Sequence, residues 1–305
     1  MFLTILGLCV FEVVSSLDNA VVNADVLATM TKRWRKWFLI WGIFFSVFLV
    51  RGLLPCLIVW MANPSFGFWG SFMATFSNDP HIKEALEISS PLLLIAGGIF
   101  LVFLFFHWLF LEPKEFGLKA ERFFTQQGGW FFAIVSIMLT TIIWFALEKN
   151  TLMAFSASLG SSLFFITHGF KEHAARVELE MKERKDLSDI SKLAYLEVLD
   201  ASFSIDGVVG AFAFTMSIPL ILLGNGLGAI VVRELTIKGV DKIRKYRYLK
   251  NGAMYSIFFL GLIMILESFG FEIPHYFPPI VTFVSIGYFF MKSVEELKRK
   301  GPVEK

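Results

Sequence analysis

Four acidic side chains lie in apolar surroundings that do not favour them. Glu12 and Asp18 fall in "FEVVSSLDNAVVNAD", which begins at Phe11, and Asp200 and Asp206 fall in "DASFSIDGVVG". Both stretches sit inside apolar runs long enough to cross a bilayer, for which about 20 residues suffice. An ionised carboxylate at the centre of such a helix costs roughly 2.5–3.5 kcal/mol, so four uncompensated acids imply on the order of 10 kcal/mol. That sum rivals the stability of a whole domain. The acids must therefore be protonated, paired with basic side chains or neutralised by a bound cation. The oxygens nearby are carboxylate, amide and hydroxyl. This set suits a hard cation such as Ca²⁺, Mg²⁺ or Mn²⁺ rather than Cu⁺ or thiolate-bound Zn²⁺.

Spacing sharpens the picture. Glu12, Ser16, Asn19 and Asn23 recur at i, i+4, i+7 and i+11, so they share one helix face. Asp200, Ser204 and Gly207 repeat most of that face, while Asp18 and Asp206 lie off it on an ideal helix. Either the backbone unwinds near "SSLDN" and "SFSIDG", or each Asp meets a different ligand. The two stretches also match as a repeat. Each reads acid, three residues, Ser, branched aliphatic and Asp, with Ser16 aligned to Ser204 and Asn19 to Gly207. Each is followed in the next apolar span by one arginine, Arg51 in "FFSVFLVRGLLP" and Arg233 in "GLGAIVVRELTI". A purely internal ion-pair network would match two arginines to two acids and leave two negative charges over.

The elements that carry these residues follow from hydropathy. Of the 305 residues, 56% are apolar and 18% charged, and the mean hydropathy is +0.66. A soluble domain of this size carries about a quarter charged residues. The expected fold is an all-α polytopic membrane protein of about nine transmembrane helices. They are placed near 2–29, 37–62, 91–111, 129–147, 151–170, 193–214, 218–236, 251–270 and 277–291. The charge pattern tests this independently, because 24 of the 28 Lys and Arg residues fall in alternate connections. The positive-inside rule then puts the N-terminus outside and the C-terminus inside. With nine spans the two acidic stretches run in opposite directions, which makes the repeat of three helices inverted. Such repeats place a substrate site near the midplane in secondary transporters. The chain is read as a single transmembrane domain over 1–305. Repeat one covers about 1–111, a hairpin insert about 129–170, repeat two about 193–270, and the final helix about 277–292.

The remaining features are read more plainly. Residues 171–192 form a charged cytoplasmic connector helix. "HIKEALEISS" forms a turn or two of amphipathic helix in the long outer connection 63–90, and "EKN" at 148–150 is either a tight turn or a bend. His107, His168, Asp25 and Glu267 are span-end residues. Cys9 and Cys56 form no spaced metal motif. No basic start marks a signal peptide, no basic stripe interleaves with aromatics to bind nucleic acid, and no His-Glu-x-x-His motif appears. The chain is read as not an enzyme.

"FEVVSSLDNAVV" and "DASFSIDGVVGAFAFT" together resemble the paired acidic signatures of TerC-like integral membrane proteins, named for tellurite resistance, in the LysE-type transporter superfamily. The chain falls in a branch described only as a domain of unknown function. The resemblance implies an inverted repeat of three helices around a divalent-cation site and the export of metal, chiefly Mn²⁺. It implies Glu12, Asp18, Asn19, Asp200 and Asp206 as ligands. Ser16 and Ser204 complete the shell, and Arg51 and Arg233 balance charge when no ion is bound. Gly207 in place of a second Asn departs from the symmetric pattern and bears on metal identity.

The expected function is a secondary transporter that exports a divalent cation, Mn²⁺ first, in exchange for protons across the bacterial cytoplasmic membrane. The ion is substrate, with no prosthetic group. The expected partners are lipid, metal ion and protons, with self-association left open. One alternative is a Ca²⁺/H⁺ exchanger on the same scaffold. Another is a non-transporting membrane partner for metal loading of other proteins.

Overall fold

A computed structural model describes residues 1–38, 80–114, 116–183, 188–238 and 245–300, together with single residues at 41, 53, 60, 67, 69 and 70. For Asp18, Asn19 and Asp25 it describes the backbone alone. The expected span 37–62, with Arg51 and Cys56, and the aromatic connection after it lie almost wholly outside the described residues.

Every regular element is helical among the described residues. The helices are α1 (Phe2–Ser15), α2 (Leu17–Ala28), α3 (Lys32–Trp37), α4 (Pro80–Leu111), α5 (Lys119–Thr125) and α6 (Trp130–Lys149). They continue with α7 (Thr151–Glu183), α8 (Asp189–Ala211), α9 (Ile218–Lys238), α10 (Leu249–Ser268) and α11 (Phe277–Lys300). Six segments among the described residues are long and apolar enough to span a membrane: Ser89–Leu111, Trp130–Lys149, Thr151–His173, Ile218–Thr236, Leu249–Ser268 and Phe277–Arg299. In lipid only such internally bonded helices, or closed barrels, can cross. Besides 37–62, two expected spans fall outside that set for clear reasons. The helix α8 carries Glu197, Asp200 and Asp206, which dilute its apolarity. The first span is divided at Ser16 into α1 and α2.

Several boundaries differ from expectation. "HIKEALEISS" is not a separate turn. It is the first part of the 32-residue α4, which runs on through Pro91. The expected connector at 171–192 begins as the uninterrupted continuation of α7. "EKN" is a tight turn in which Asn150 Oδ1 accepts from the Leu152 amide at 2.9 Å and starts α7.

The core is aromatic. Phe100, Phe103, Phe131 and Phe164 are buried together between α4, α6 and α7, and Phe105 of α4 meets Phe258 of α10 with ring centroids 4.5 Å apart. Close approach elsewhere depends on glycine. A Cβ on Gly160 would stand 2.2 Å from the Ala96 carbonyl oxygen, and one on Gly98 would stand 2.8 Å from that of Gly261. Small residues that let backbones touch are the usual means of helix association in lipid. Outward faces are apolar instead. Trp144, Phe155, Ile137 and Val284 are all exposed, as a lipid-facing surface allows.

Candidate functional site

The acidic helices meet α9 in the interior. The direction of α8 relative to α1 and α2 follows from four contacts. At one end Asp189 Oδ2 accepts from the amide and hydroxyl of Thr31 at 3.2 and 2.6 Å, and Lys192 donates to Thr29 Oγ1 at 3.1 Å. Those two donors hold the Asp189 carboxyl below its ordinary range. Further along, Gly207 abuts Glu12, and Gly210 abuts the ring of Phe11. The helices therefore run antiparallel, and Ser16 falls level with Ser204. Ser16 is also where the first span breaks. The second acidic stretch lies in the unbroken α8, so of the two sites of expected unwinding only "SSLDN" departs from a regular helix.

Glu12 is fully buried, and its Oε1 accepts a 2.6 Å hydrogen bond from Ser16 Oγ. Its side chain occupies a slot between two glycines. A Cβ on Gly207 of α8 would stand 2.7 Å from Glu12 Oε2, and one on Gly228 of α9 would stand 2.6 Å from Glu12 Cβ. The break in repeat symmetry at 207 thus has a steric cause: an asparagine there would fill the space the carboxylate uses.

Asp200 and Asp206 are held by cations. Asp200 is buried, and its Oδ2 lies 3.3 Å from an Arg233 guanidinium nitrogen. Arg233 also donates to the Phe38 carbonyl at 2.7 Å and stacks 4.1 Å above the Phe38 ring. Ser204 Oγ donates to the Asp200 carbonyl oxygen at 2.6 Å. Asp206 Oδ2 pairs with Lys171 Nζ at 2.5 Å, with both side chains largely shielded. Asp18 and Asn19 lie on α2, and Arg51 is outside the described residues. Among the described residues, no group of three His, Cys, Asp or Glu side chains is gathered to hold a metal ion. Glu12, Asp200 and Asp206 instead each have their own partner on a neighbouring helix or turn.

Some participants were not legible from sequence. Lys171, expected in the solvated connector, reaches into the bundle. Asn225 of α9 is fully buried and donates to the Gly207 carbonyl at 3.4 Å. His107 and His168, assigned as separate span-end residues, stand with ring centroids 3.8 Å apart between α4 and α7. Glu197 lies one turn before Asp200, and its i−3 spacing to that acid was the available signal. Outside the spans, burial beside Trp108 lowers Lys114 from its ordinary value to about 8, although Glu112 and Glu121 pull the other way.

The helices and their buried acids define an all-helical multi-pass membrane protein. The chain belongs to the family described as "Protein of unknown function (DUF475)", which it matches over residues 17–300. This corrects the TerC-like membership that the motifs implied: the family that covers the chain is the one of unknown function. The chain is similar to the "Uncharacterized membrane protein YceF" of Bacillus subtilis (strain 168), with 31% identity over 80 residues. That match covers 26% of this chain and 31% of the relative, so the chain spans about a third of the length of the curated relative it matches. No solved structure matches it.

Proposed function

We propose that this protein is a secondary transporter that moves a divalent cation, Mn²⁺ first among hard ions, outward across the bacterial cytoplasmic membrane in exchange for protons. The observation that carries the reading is the pairing of buried acids with basic side chains from other helices, Asp200 with Arg233 and Asp206 with Lys171. Burying such pairs is costly, and replacing them by apolar residues is often neutral or stabilising. A transport cycle supplies a reason to keep them. The guanidinium and ammonium neutralise the carboxylates when no ion is present, and an arriving cation takes their place.

Glu12, Ser16, Asp200, Ser204 and Asp206 would then meet the ion as oxygen ligands, with Asp18 and Asn19 from α2. Lys171 joins Arg233 in balancing charge. Protons bound by the same carboxylates in the return step would give exchange. The N-terminus outside and the C-terminus in the cytoplasm follow from the distribution of Lys and Arg.

The test is Mn²⁺ and Ca²⁺ flux into proteoliposomes, wild type beside Glu12→Gln and Asp206→Asn, with an imposed pH gradient. Flux that is lost in both variants while they remain folded, and that responds to the gradient, supports the reading. Correctly folded wild type that moves neither ion refutes it.

A further inference from the structure

A second group of oxygens lies toward the end of the bundle where Thr31 meets Asp189. Glu197 of α8 has both carboxylate oxygens buried, and neither accepts a hydrogen bond. Asn23 of α2 is 6% exposed, and its Oδ1 likewise accepts none. The antiparallel register sets these two residues at the same level. Moving from the Ser16 and Ser204 level toward Thr31 and Asp189, seven residues along each helix reach Asn23 on one side and Glu197 on the other. Asn23 lies on α2, beyond the break at Ser16, and Glu197 shares the α8 face of Asp200 and Ser204. Just beyond them Val26, Leu27, Met30, Phe38, Leu193 and Leu196 pack into an apolar plug.

Acceptors without donors in a buried place are costly. A carboxylate and an amide oxygen at one level, each without a donor, offer a cation its ligands. Among the described residues, the cation beside Asp200, Arg233, is already committed to that carboxylate and to the Phe38 carbonyl. We propose that Glu197 and Asn23 form a second cation-binding station, specific for a hard, oxygen-ligated divalent ion and lying between the Glu12 and Asp200 site and the apolar plug. Its place on a transport route rests on the function proposed above. Its binding does not. An ion here sits one helical turn from Asp200, close enough to draw that carboxylate away from Arg233. The station thereby hands the ion to the site and opens the ion pair in one step.

The test is equilibrium Mn²⁺ binding to the purified full chain, read from the electron paramagnetic resonance signal of the free ion. Wild type is compared with Glu197→Gln, Asn23→Asp and Glu12→Gln, each checked for folding by its thermal midpoint. Glu197→Gln is expected to lose one bound Mn²⁺ or to weaken it at least about tenfold, whereas Glu12→Gln keeps that ion. Asn23→Asp is expected to tighten it. If Asn23 instead serves as an amide donor to Glu197, Asn23→Asp sets two carboxylates together, lowers the midpoint and binds no better, which overturns the station.

Unchanged binding in Glu197→Gln also overturns it and leaves the proposed transport standing if flux persists. Should Glu197→Gln fail to fold, Glu197→Asp replaces it and is expected to weaken the same ion. Wild type that binds no Mn²⁺ up to about millimolar concentration overturns the station, and absence of flux as well would remove the transport reading with it.

Discussion

Replacing Arg233 with Met removes the charge opposite Asp200 and keeps most of the volume. The two side chains are 7% and 9% exposed, so water does little to screen what remains. Breaking a buried pair by deleting one partner costs about 3–5 kcal/mol, because an uncompensated charge is left behind. The Phe38 carbonyl also loses its 2.7 Å donor. At about 2.1 cal/mol/K of unfolding entropy per residue, a kilocalorie corresponds to roughly 1.6 °C for a chain of this size, so the thermal midpoint in detergent is expected to fall by about 5–8 °C. Two further measurements separate charge from packing. The double variant Arg233→Met with Asp200→Asn removes both charges and is expected to recover most of the loss. Millimolar Mn²⁺ is expected to raise the midpoint of Arg233→Met more than that of wild type, since the ion no longer competes with a guanidinium. A single variant whose midpoint stays within about 1 °C of wild type would show that the pair is not held in the buried arrangement described. Equal response to Mn²⁺ would refute the competition between arginine and ion.

The other outcomes follow from neighbouring contacts. Gly228→Ala places a methyl 2.6 Å from Glu12 Cβ and 2.8 Å from the Cys9 carbonyl, neither of which can swing aside. It is expected to cost about 1–3 kcal/mol in thermal unfolding. Gly207→Ala meets only the mobile end of the Glu12 carboxylate, at 2.7 Å, so it is expected to spare stability while lowering flux at least about tenfold. Lys171→Gln frees Asp206 from its partner and is expected to slow Mn²⁺ release, seen as tighter equilibrium binding with reduced turnover. Lys114 supplies a test in pH. Its folded value of about 8 lies below its ordinary 10.5, so between those values the unfolded chain binds more protons. The stability of wild type should therefore rise with pH across that window relative to Lys114→Met, and thermal midpoints at pH 8 and 10 check the sign.

Much of the candidate site is legible in the chain because acids in apolar runs are self-announcing. Glu12, Asp200 and Asp206 stand out wherever hydropathy is plotted, and Arg233 follows as the one basic residue in its span. The partners they choose could not be read. Lys171 looked like one of six basic residues in a charged connector. Yet it lies within the last turn of the segment Thr151–His173, and the unbroken run of α7 brings it to Asp206. Gly207 looked like a departure from the repeat, and its reason became visible only when Glu12 was found against it. The pairing of His107 with His168 joins residues 61 positions apart, and no local periodicity encodes such a contact.

The sequence by itself determined that the chain is helical and multi-pass, and that carboxylates lie inside its apolar spans. These are properties of composition and period, which depend on each residue's own free energy of transfer and on the obligation to satisfy every backbone group in lipid. The tertiary structure alone decided which cation answers which acid, where a helix breaks, and which oxygens are left without a donor. Those outcomes depend on register and on sub-ångström clearance between helices, set by glycines such as Gly207 and Gly228 whose meaning lies in the side chain they make room for.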